Sequence, residues 1–581
     1  MRVARGRALS TRVWLVLGAV MAVVITSGTA ALAAGSEAAT FSAASDGTST
    51  TADAGVVLPV TSCDDLGTAD LDRLDAHVTA TATITHNDHP FCDVRGYLSP
   101  VTQFEVLLPL ETWRGNYLQQ GCGGFCGHLD LSLEDPSRTS GYQAPYAPLA
   151  DGEMVVAADD QGHQTATNSD ALWARDDLQL RVVFGYTSEH QLAQAAKALV
   201  QLFYGRGPAH SYFSGVSDGG HEALDLAQRY PTDFDGIIAG APANNWAPLL
   251  GLFQPWAAAV NQDPQGGQIL TAEKLPALHA AVMAACADTH GVIADPRACT
   301  FDPASIRCPD ATDTPDCLTD EQIRVVRDEY RGPTDPQGRN LFDGGEPYGS
   351  ELAWAGWLVS PAADTAAPRD TAAAQLGLNY LNDMAFWPNP STPYTLATVP
   401  FTAATHQRLE QLGGIYNATD PDLSEFQAHG GKIIIYHGWA DQAIPPFATV
   451  DYYRAVAGQM GGYPATQSFS RLYMIPGLYH CPCGQPVDGD PATSVQFLPQ
   501  LTDWVERGQA PGTVTLPFTA QTTGTPLTSL DVAPFDPLQP APQNNGLNSN
   551  YDYIGATSDY QPGNALWCTW QELQLTCTRH S

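Results

Sequence analysis

The stretch Ser211-Tyr-Phe-Ser-Gly-Val-Ser-Asp-Gly-Gly220 predicts a short buried strand, a tight turn at Ser217 and a helix that follows from about His221. Gly215 and Gly219 stand two residues before and two residues after the serine, as in the G-x-S-x-G turn, whose sharp backbone excludes a Cβ at both positions. A serine in such a turn presents its hydroxyl at a helix N-terminus, where the helix dipole favours developing negative charge. An ordinary loop serine is the alternative, so partners further along the chain decide between the two.

Two later strands end beside residues that can act on a serine hydroxyl. Gly431-Lys-Ile-Ile-Ile-Tyr-His437 is an apolar run that ends shortly before Asp441, and Leu472–Ile475 ends shortly before His480. The chain order Ser217, Asp441, His480 is the order of nucleophile, acid and base in an α/β-hydrolase, with each residue near the carboxyl end of a strand. We expect His480 to take the proton of Ser217 and Asp441 to hold the imidazole in place.

Two further histidines follow predicted strands and are alternatives for the base. His163 precedes the serine in the chain, which is the wrong order, and His437 lies only four residues before Asp441. His480 is therefore the preferred base.

A glycine-rich turn, Gln120-Gly-Cys-Gly-Gly-Phe-Cys-Gly127, follows the predicted strand Asn116–Gln119. A loop at this place supplies the second oxyanion donor in α/β-hydrolases, although a surface loop closed by a disulfide is the alternative. We expect the backbone N–H of Asp218 and that of Gly123 or Gly124 to bind the oxyanion, each stabilising it by about 3 kcal/mol.

Strand and helix patterns alternate along the chain as far as residue 243. Predicted strands cover Phe104–Leu110, Met154–Ala158 and Asp235–Gly240, and Ser188–Tyr204 has helical spacing. This alternation predicts a mostly parallel, doubly wound sheet of the α/β class. It fails from 244 to 407 and then resumes, so we expect an α/β-hydrolase core made of residues 56–243 and 408–581. Residues 244–407 are expected to form a large inserted lid domain over the serine.

The N-terminal residues predict export. Arginines precede an apolar run from Val13 to about Ile25, and Ala31-Leu-Ala33 is a cleavage pattern, so residues 1–33 are expected to be a signal peptide. Residues 34–55 are rich in Ala, Ser and Thr and are expected to be a disordered leader. The formal net charge of -35 disfavours nucleic acid and anionic membranes as partners. We expect a secreted protein without membrane contact after signal cleavage; the sequence favours no oligomeric state.

Twelve cysteines in an exported chain predict disulfides, and their order suggests local pairs. The expected pairs are Cys63 with Cys92, Cys122 with Cys126, Cys286 with Cys299, Cys308 with Cys317, and Cys568 with Cys577. Cys481 and Cys483 remain, either free, bridged to each other or paired elsewhere. No C-x-x-C pair stands opposite a second one in the sequence, which disfavours a zinc site.

Long segments of the mature chain resemble the tannase and feruloyl esterase family, which includes bacterial mono(hydroxyethyl) terephthalate hydrolases. The resemblance lies in Phe104–Leu110, Gln120–Gly127, Ala227–Pro242, Asp420–Leu423, Gly430–Asp441 and His480-Cys481. It implies a serine esterase that cleaves small aromatic acid esters, such as galloyl or feruloyl esters, with a triad like the one above and a lid that forms the substrate pocket. Tyr380, Met384, Phe386 and Trp387 are candidates for the aromatic wall of that pocket, although a lid's own core is the alternative.

The chain departs from the family pattern at two places. Val216 stands where the family has a cysteine that pairs with the one after the histidine, so Cys481 lacks that partner. The family's lid often binds a structural calcium ion after its first cysteine, but here Ala287 and His290 stand where carboxylates are expected. Calcium needs six or more oxygen ligands and only Asp288 and Asp295 remain, so we expect a degenerate loop and no required cofactor, with a structural calcium ion in the lid as the alternative.

Two other functions remain open. Serine peptidases of the α/β-hydrolase fold share the order of the triad, and a binding protein without activity could keep the fold. Loss of activity in Ser217→Ala separates an enzyme from a binding protein, which would lose nothing.

Overall fold

A mixed sheet forms the centre of the computed structural model, which describes residues 55–129, 131–137, 145–361, 370–480, 495–519, 526–538, 566–571 and 574–579. Its nine strands are β1 Ala76–His86, β2 His89–Leu98, β3 Thr102–Pro109, β4 Asn116–Gln120, β5 Met154–Asp159, β6 His210–Val216, β7 Gly236–Gly240, β8 Lys432–Gly438 and β9 Ser470–Ile475. Their order in the sheet is β1-β2-β3-β5-β4-β6-β7-β8-β9.

The sheet changes from antiparallel to parallel along its width. β1, β2, β3 and β5 pair antiparallel, whereas β5, β4, β6, β7, β8 and β9 pair parallel. The carboxyl ends of β6, β8 and β9 therefore meet at one edge, and Ser217, Asp441 and His480 follow these ends. The predicted mostly parallel α/β sheet is confirmed.

Helices cover both faces of the sheet and fill the long connections. They are α1 Ala147–Ala150, α2 Leu178–Val182, α3 Ser188–Tyr204, α4 Asp218–Arg229, α5 Trp246–Pro248, α6 Gln254–Val260, α7 Leu275–Cys286, α8 Asp320–Arg331, α9 Ala372–Asn379, α10 Ala403–Leu409, α11 Gly413–Tyr416, α12 Ser424–His429, α13 Phe447–Gln459, α14 Tyr463–Thr466 and α15 Leu498–Arg507. Two antiparallel strand pairs lie outside the central sheet. They are β10 Val514–Thr519 with β11 Pro526–Val532, and β12 Leu566–Gln571 with β13 Gln574–Arg579.

The apolar run of β8 contributes side chains to two hydrophobic clusters, one on each face of the sheet. Successive strand residues point to opposite faces, so Ile433 and Ile435 join one hydrophobic cluster with residues of α3, α4 and α13. Ile434 and Tyr436 join another cluster with residues of α15. A strand covered on both faces needs no polar alternation, which is why this segment is apolar throughout.

The connection from β7 to β8 holds the segment predicted as a lid. Its described residues add no strand to the central sheet and form α5 to α12. One hydrophobic cluster, which includes residues of α7 and α8, lies wholly within this connection. A second cluster joins the connection to residues that precede β6 and residues that follow β8.

Four of the five expected disulfides are present: Cys63–Cys92, Cys122–Cys126, Cys286–Cys299 and Cys308–Cys317. The backbone register places Cys568 opposite Cys577. The side chains of that pair, as well as Cys481, Cys483 and the predicted signal peptide and leader up to residue 54, lie outside what the structure describes. Within the described part of the chain, no helix is both long and apolar enough to cross a membrane.

Candidate active site

Ser217 occupies a strained turn between β6 and α4. Its backbone has φ +67° and ψ -114°, in a region that residues with a side chain rarely adopt. A Cβ on Gly215 would lie 2.3 Å from the carbonyl oxygen of Gly219, and a Cβ on Gly219 would lie 2.9 Å from that of Cys122. Both glycines are therefore required by close packing, as the sequence pattern predicts.

His480 lies between Ser217 and Asp441. Its Nε2 is 2.9 Å from Ser217 Oγ, and its Nδ1 is 2.7 Å from Asp441 Oδ2. The backbone N–H of His480 donates to Gln442 Oε1 at 3.0 Å, which fixes the loop after β9 against the loop after β8. His480 is thus within hydrogen-bonding distance of both Ser217 and Asp441, as expected.

Asp441 is fully buried, and four donors converge on its carboxylate. The backbone N–H groups of Ala443 and Ile444 donate to Oδ1 at 2.8 and 2.7 Å, and Oδ2 accepts from both His480 and His437. Burial raises the pKa of Asp441, but the charge and hydrogen bonds of His480 and His437 outweigh it and hold the pKa well below its ordinary value. Asp441 is therefore an anion at neutral pH.

His437 is the second histidine on this carboxylate. Its Nε2 lies 3.1 Å from Asp441 Oδ2 and 3.0 Å from the carbonyl oxygen of Ile444, and its Nδ1 lies 2.7 Å from Thr449 Oγ1. A carbonyl oxygen only accepts, so Nε2 carries the proton and the Thr449 hydroxyl donates to Nδ1. The sequence predicts His437 only as an alternative base. Its place at the end of β8, four residues before Asp441, is the signal for this supporting role.

The glycine-rich loop is fastened to the helix that follows Ser217. Gly219 N donates to the carbonyl oxygen of Cys122 at 2.8 Å, and Cys122 N donates to the Glu222 carboxylate at 3.2 and 3.3 Å. Gln161 Nε2 also donates to Glu222. The sequence does not single out the buried Glu222, because α4 also contains Asp218, Asp225 and other polar residues.

His163 supports the same loop from the other side. Burial lowers the pKa of His163 to about 4, so the ring is neutral at pH 7. Its Nε2 lies 2.7 Å from the carbonyl oxygen of Phe125, and the ring stacks on Trp173 with centroids 3.9 Å apart. The structure therefore places His163 beside the loop rather than beside Ser217 Oγ.

A cavity of about 290 Å³ opens at Ser217 and His480. Gly123, Gly124 and Asp218, the expected oxyanion residues, line it together with Ser217. Its other lining residues are mainly apolar and come largely from the β7–β8 connection, among them Trp246, Leu249, Leu250, Trp357 and Leu376, while Ile444 follows β8. This volume and this lining suit a small organic group, such as an acid with a single aromatic ring.

The four residues expected to form the aromatic wall do not line this cavity. Tyr380 and Met384 are fully buried in a cluster between helices, and Arg181 donates to the carbonyl oxygens of Met384 and Phe386 at 2.9 and 2.8 Å. Trp387 is 48% exposed and lies under the Arg181 guanidinium. The prediction is corrected: Tyr380, Met384 and Phe386 are buried in a hydrophobic cluster shared with residues of α2 and of the loop after β8, and none of them lines the cavity.

In the loop where the sequence departs from the family's calcium site, the carboxylates of Asp288 and Asp295 are engaged by the protein itself. Asp288 accepts from the backbone N–H of His290 at 2.8 Å, and both oxygens of Asp295 accept from the Arg297 guanidinium. A calcium ion needs six or more oxygens, so this donor set does not fit it. In the described part of the chain, no group of three or more His, Cys, Asp or Glu residues could hold a metal ion.

Comparison with known proteins agrees with this geometry. The family model "Tannase and feruloyl esterase" matches residues 83–540. An uncharacterized esterase of Xanthomonas campestris is 32% identical over 460 residues, which cover 72% of this chain and 76% of the relative. The mono(2-hydroxyethyl) terephthalate hydrolase of Piscinibacter sakaiensis is 30% identical over 516 residues, which cover 78% of this chain and 81% of the relative.

Solved structures show the same fold. Feruloyl esterase B from Aspergillus oryzae has a TM-score of 0.65 at 23% identity and covers 79% of this chain and 93% of its own. Tannin acyl hydrolase from Aspergillus niger has a TM-score of 0.64 at 21% identity and covers 89% of this chain and 94% of its own. The sheet and its helices are those of the predicted α/β-hydrolase fold. The chain therefore belongs to the tannase and feruloyl esterase family of carboxylic ester hydrolases.

Proposed function

We propose that this chain is a secreted serine esterase that hydrolyses esters of hydroxybenzoic or hydroxycinnamic acids through an acyl-enzyme intermediate. The observation that carries the proposal is the contact of His480 Nε2 with Ser217 Oγ, together with that of His480 Nδ1 with Asp441. A neutral imidazole in this position accepts the hydroxyl proton as Ser217 Oγ attacks the ester carbonyl carbon. Asp441 fixes the Nδ1–H tautomer and stabilises the imidazolium that forms.

The two half-reactions use the same groups in turn. When the tetrahedral intermediate collapses, His480 gives its proton to the leaving alcohol and the acyl group stays on Ser217 Oγ. A water molecule then loses a proton to His480 and attacks the acyl carbon, and the second collapse returns the proton to Ser217. In both halves the carbonyl oxygen becomes negative, and the N–H groups of Asp218 and Gly123 or Gly124 are proposed to stabilise it by about 3 kcal/mol each.

The surroundings of the site support the choice of an aromatic acyl group. The cavity beside Ser217 is small and mainly apolar, and the Trp357 ring lies 5.9 Å from the His480 ring. Residues 244–407 are proposed to act as a lid, since Trp246, Trp357 and Leu376 of this segment face the same cavity as Ser217. Four formed disulfides support the proposed export.

Hydrolysis of methyl gallate, methyl ferulate, methyl p-coumarate and a terephthalate monoester tests the proposal. We expect turnover of at least one ester by the purified protein and a loss of roughly four or more orders of magnitude in Ser217→Ala. Ser211→Ala, which removes another buried hydroxyl from β6, is the matched control and retains activity. Labelling with a fluorophosphonate, followed by mass spectrometry, identifies the nucleophile. Absence of turnover on every ester by folded, disulfide-bonded protein overturns the proposal.

A further inference from the structure

Arg297 joins the β7–β8 connection to the turn that precedes Asp441. Its side chain is buried, and its guanidinium carbon lies 5.1 Å from the centre of the Trp439 ring and 5.2 Å from that of the Phe535 ring. The two rings also pack edge to face, with centroids 5.8 Å apart. A guanidinium over an aromatic ring is attracted by the ring's quadrupole, and more strongly where water is excluded. Arg297 is therefore a stabilising contact between the two parts of the chain.

Asp295 holds this guanidinium in one orientation. Arg297 Nε donates to Asp295 Oδ1 at 2.9 Å, and a terminal nitrogen donates to Oδ2 at 2.7 Å. The backbone N–H of Arg297 also donates to Oδ1 at 2.9 Å. Two hydrogen bonds from a planar guanidinium to one carboxylate fix both groups more firmly than a single bond does. The Cys286–Cys299 disulfide closes the loop in which both residues lie.

Trp439 is part of the link between the loop of the acid and that of the base. Its backbone N–H donates to the carbonyl oxygen of Ile475 at 2.8 Å, and that of Ala440 donates to the carbonyl oxygen of Leu478 at 3.2 Å. Trp439 lies two residues before the proposed acid, and Leu478 lies two residues before the proposed base. A contact that fixes Trp439 therefore also fixes the spacing of these two loops.

A second residue of the same lid loop reaches the loop of the base. Val292 is buried and belongs to the hydrophobic cluster that contains Ile475 and Leu478. The next residue, Ile293, belongs to the cluster that lies wholly within the β7–β8 connection. This loop thus places one side chain in the core and the next in the lid, so a shift of the loop disturbs both.

The charges of the loop are balanced within the chain. Both oxygens of Asp295 accept from Arg297, and Asp288 accepts from the backbone N–H groups of His290 and Val292 at 2.8 and 3.3 Å. The corresponding loop of the family often takes its positive charge from calcium, whereas here a guanidinium supplies it. A guanidinium is charged at every physiological pH and cannot be removed by a chelator.

We propose that Arg297 is a positioning residue: paired with Asp295 and packed on Trp439, it takes the place of a structural calcium ion in holding the loops of the triad against the lid. The inference rests on the proposed function, because it concerns the rate of that reaction. The triad keeps its chemical roles, and Arg297 determines how firmly its loops are held. The described residues that line the cavity beside Ser217 do not include Arg297, so we expect it to affect kcat rather than KM.

Steady-state kinetics of Arg297→Met and Arg297→Lys test the proposal. Methionine removes the charge and is expected to lower kcat about tenfold, with KM within about twofold, because a displaced catalytic group slows the reaction more than it weakens binding. Lysine keeps the charge but loses the paired hydrogen bonds, so it is expected to restore part of the loss. Arg339→Met is the matched control. It removes a similar ion pair with Asp335 from the same connection and is expected to leave kcat unchanged.

A double-variant cycle tests whether Arg297 acts through Trp439. If the ring transmits the effect, Arg297→Met lowers kcat much less in a Trp439→Leu protein than in the wild type, because the effects of coupled residues are not additive. Equal losses in the two backgrounds overturn the proposal.

Two measurements do not depend on turnover. The melting temperature of the wild-type protein is expected to be the same in EDTA and in millimolar calcium chloride, and a rise of several degrees with calcium overturns the replacement of the ion. The downfield proton NMR resonance of the hydrogen bond between His480 and Asp441 is expected to shift or broaden in Arg297→Met and to stay unchanged in Arg339→Met.

The outcomes separate this inference from the function on which it rests. An active wild-type protein with an unchanged kcat in folded Arg297→Met overturns the positioning role and leaves the esterase intact. If Arg297→Met does not fold, Asp295→Asn decides, because it keeps the guanidinium and weakens the contact that orients it; a kcat equal to that of the wild type then overturns the role. No turnover of any ester by the wild type overturns the proposed function, and the NMR resonance still tests the contact.

Discussion

Asp441→Asn is expected to abolish nearly all activity while the fold survives. The Ala443 and Ile444 N–H groups are held by the backbone, so the amide oxygen of an asparagine must stay on their side. The amide nitrogen then faces His480 Nδ1 and His437 Nε2, where the wild-type carboxylate accepts. An NH₂ group only donates, so His480 must present a bare Nδ1 to it, whereas His437 keeps its Nε2 proton for the carbonyl oxygen of Ile444.

That rearrangement places the only proton of His480 on the wrong nitrogen. With Nδ1 accepting, a neutral His480 carries its proton on Nε2, which faces Ser217 Oγ at 2.9 Å and can no longer remove the hydroxyl proton. The imidazolium also loses the anion that stabilises it. In serine hydrolases this exchange lowers kcat by about 10⁴, which corresponds to about 5 kcal/mol of transition-state stabilisation.

Steady-state hydrolysis of the best ester gives kcat for the wild type and the variant. Circular dichroism and the melting temperature show that the variant is folded. Asp451→Asn, which neutralises another largely buried aspartate and leaves Arg454 without its ion pair, is the matched control and is expected to keep kcat within a few fold. A kcat for Asp441→Asn within tenfold of the wild type, in folded protein, would falsify the assignment of Asp441 as the acid.

Three further outcomes follow from the supports of the site. Glu222→Gln weakens the acceptor of the Cys122 N–H and is expected to lower kcat about tenfold with little change in KM; an equal change in both constants contradicts this role. Replacing Cys122 and Cys126 together by serine is expected to lower the unfolding free energy by about 2 kcal/mol and to lower kcat. Chemical denaturation measures the first effect and steady-state kinetics the second. An unchanged kcat argues against a role of this disulfide in positioning the glycine-rich loop. Burial lowers the pKa of His163 and of His221 from 6.5 to about 4. As the pH falls, these histidines take up protons in the unfolded chain before they do so in the folded protein. The free energy of unfolding is therefore unaffected above pH 6.5 and falls between pH 6.5 and pH 4, by at most about 3 kcal/mol for each ring. Melting temperatures across this range check it, and His163→Gln should flatten the dependence.

The parallel half of the sheet could be predicted because its strands are covered on both faces. Ile433, Ile434 and Ile435 must all be apolar when alternate residues enter different cores, and such a run is visible in the sequence. The meeting of Ser217, Asp441 and His480 could be predicted for a related reason. Parallel strands end at the same edge, so residues that directly follow these strands are brought together by topology alone.

The two outermost antiparallel strands, β1 and β2, escaped prediction, whereas the third, β3, was predicted. β1 alternates threonine with alanine and valine, and most of its side chains are partly or fully exposed, so it has little apolar signal. The pocket wall escaped for a different reason. Residues of the β7–β8 connection show no strand alternation, and which aromatic residues face the cavity depends on packing between distant segments. Trp246 and Trp357 line the cavity, whereas Tyr380 is fully buried and does not line it.

The separate origins of the cavity residues have an evolutionary consequence. Ser217, Asp441 and His480 follow strands of the sheet, whereas Gln254 and Trp357 come from one uninterrupted stretch of the chain whose described residues add nothing to that sheet. β7 and β8 pair directly with each other, so this stretch begins and ends on neighbouring strands. A gene segment encoding it could be exchanged between relatives without altering the hydrogen bonds of the sheet. Diversification of the preferred ester can thus proceed by recombination at two fixed junctions, while the hydrolytic chemistry is inherited unchanged.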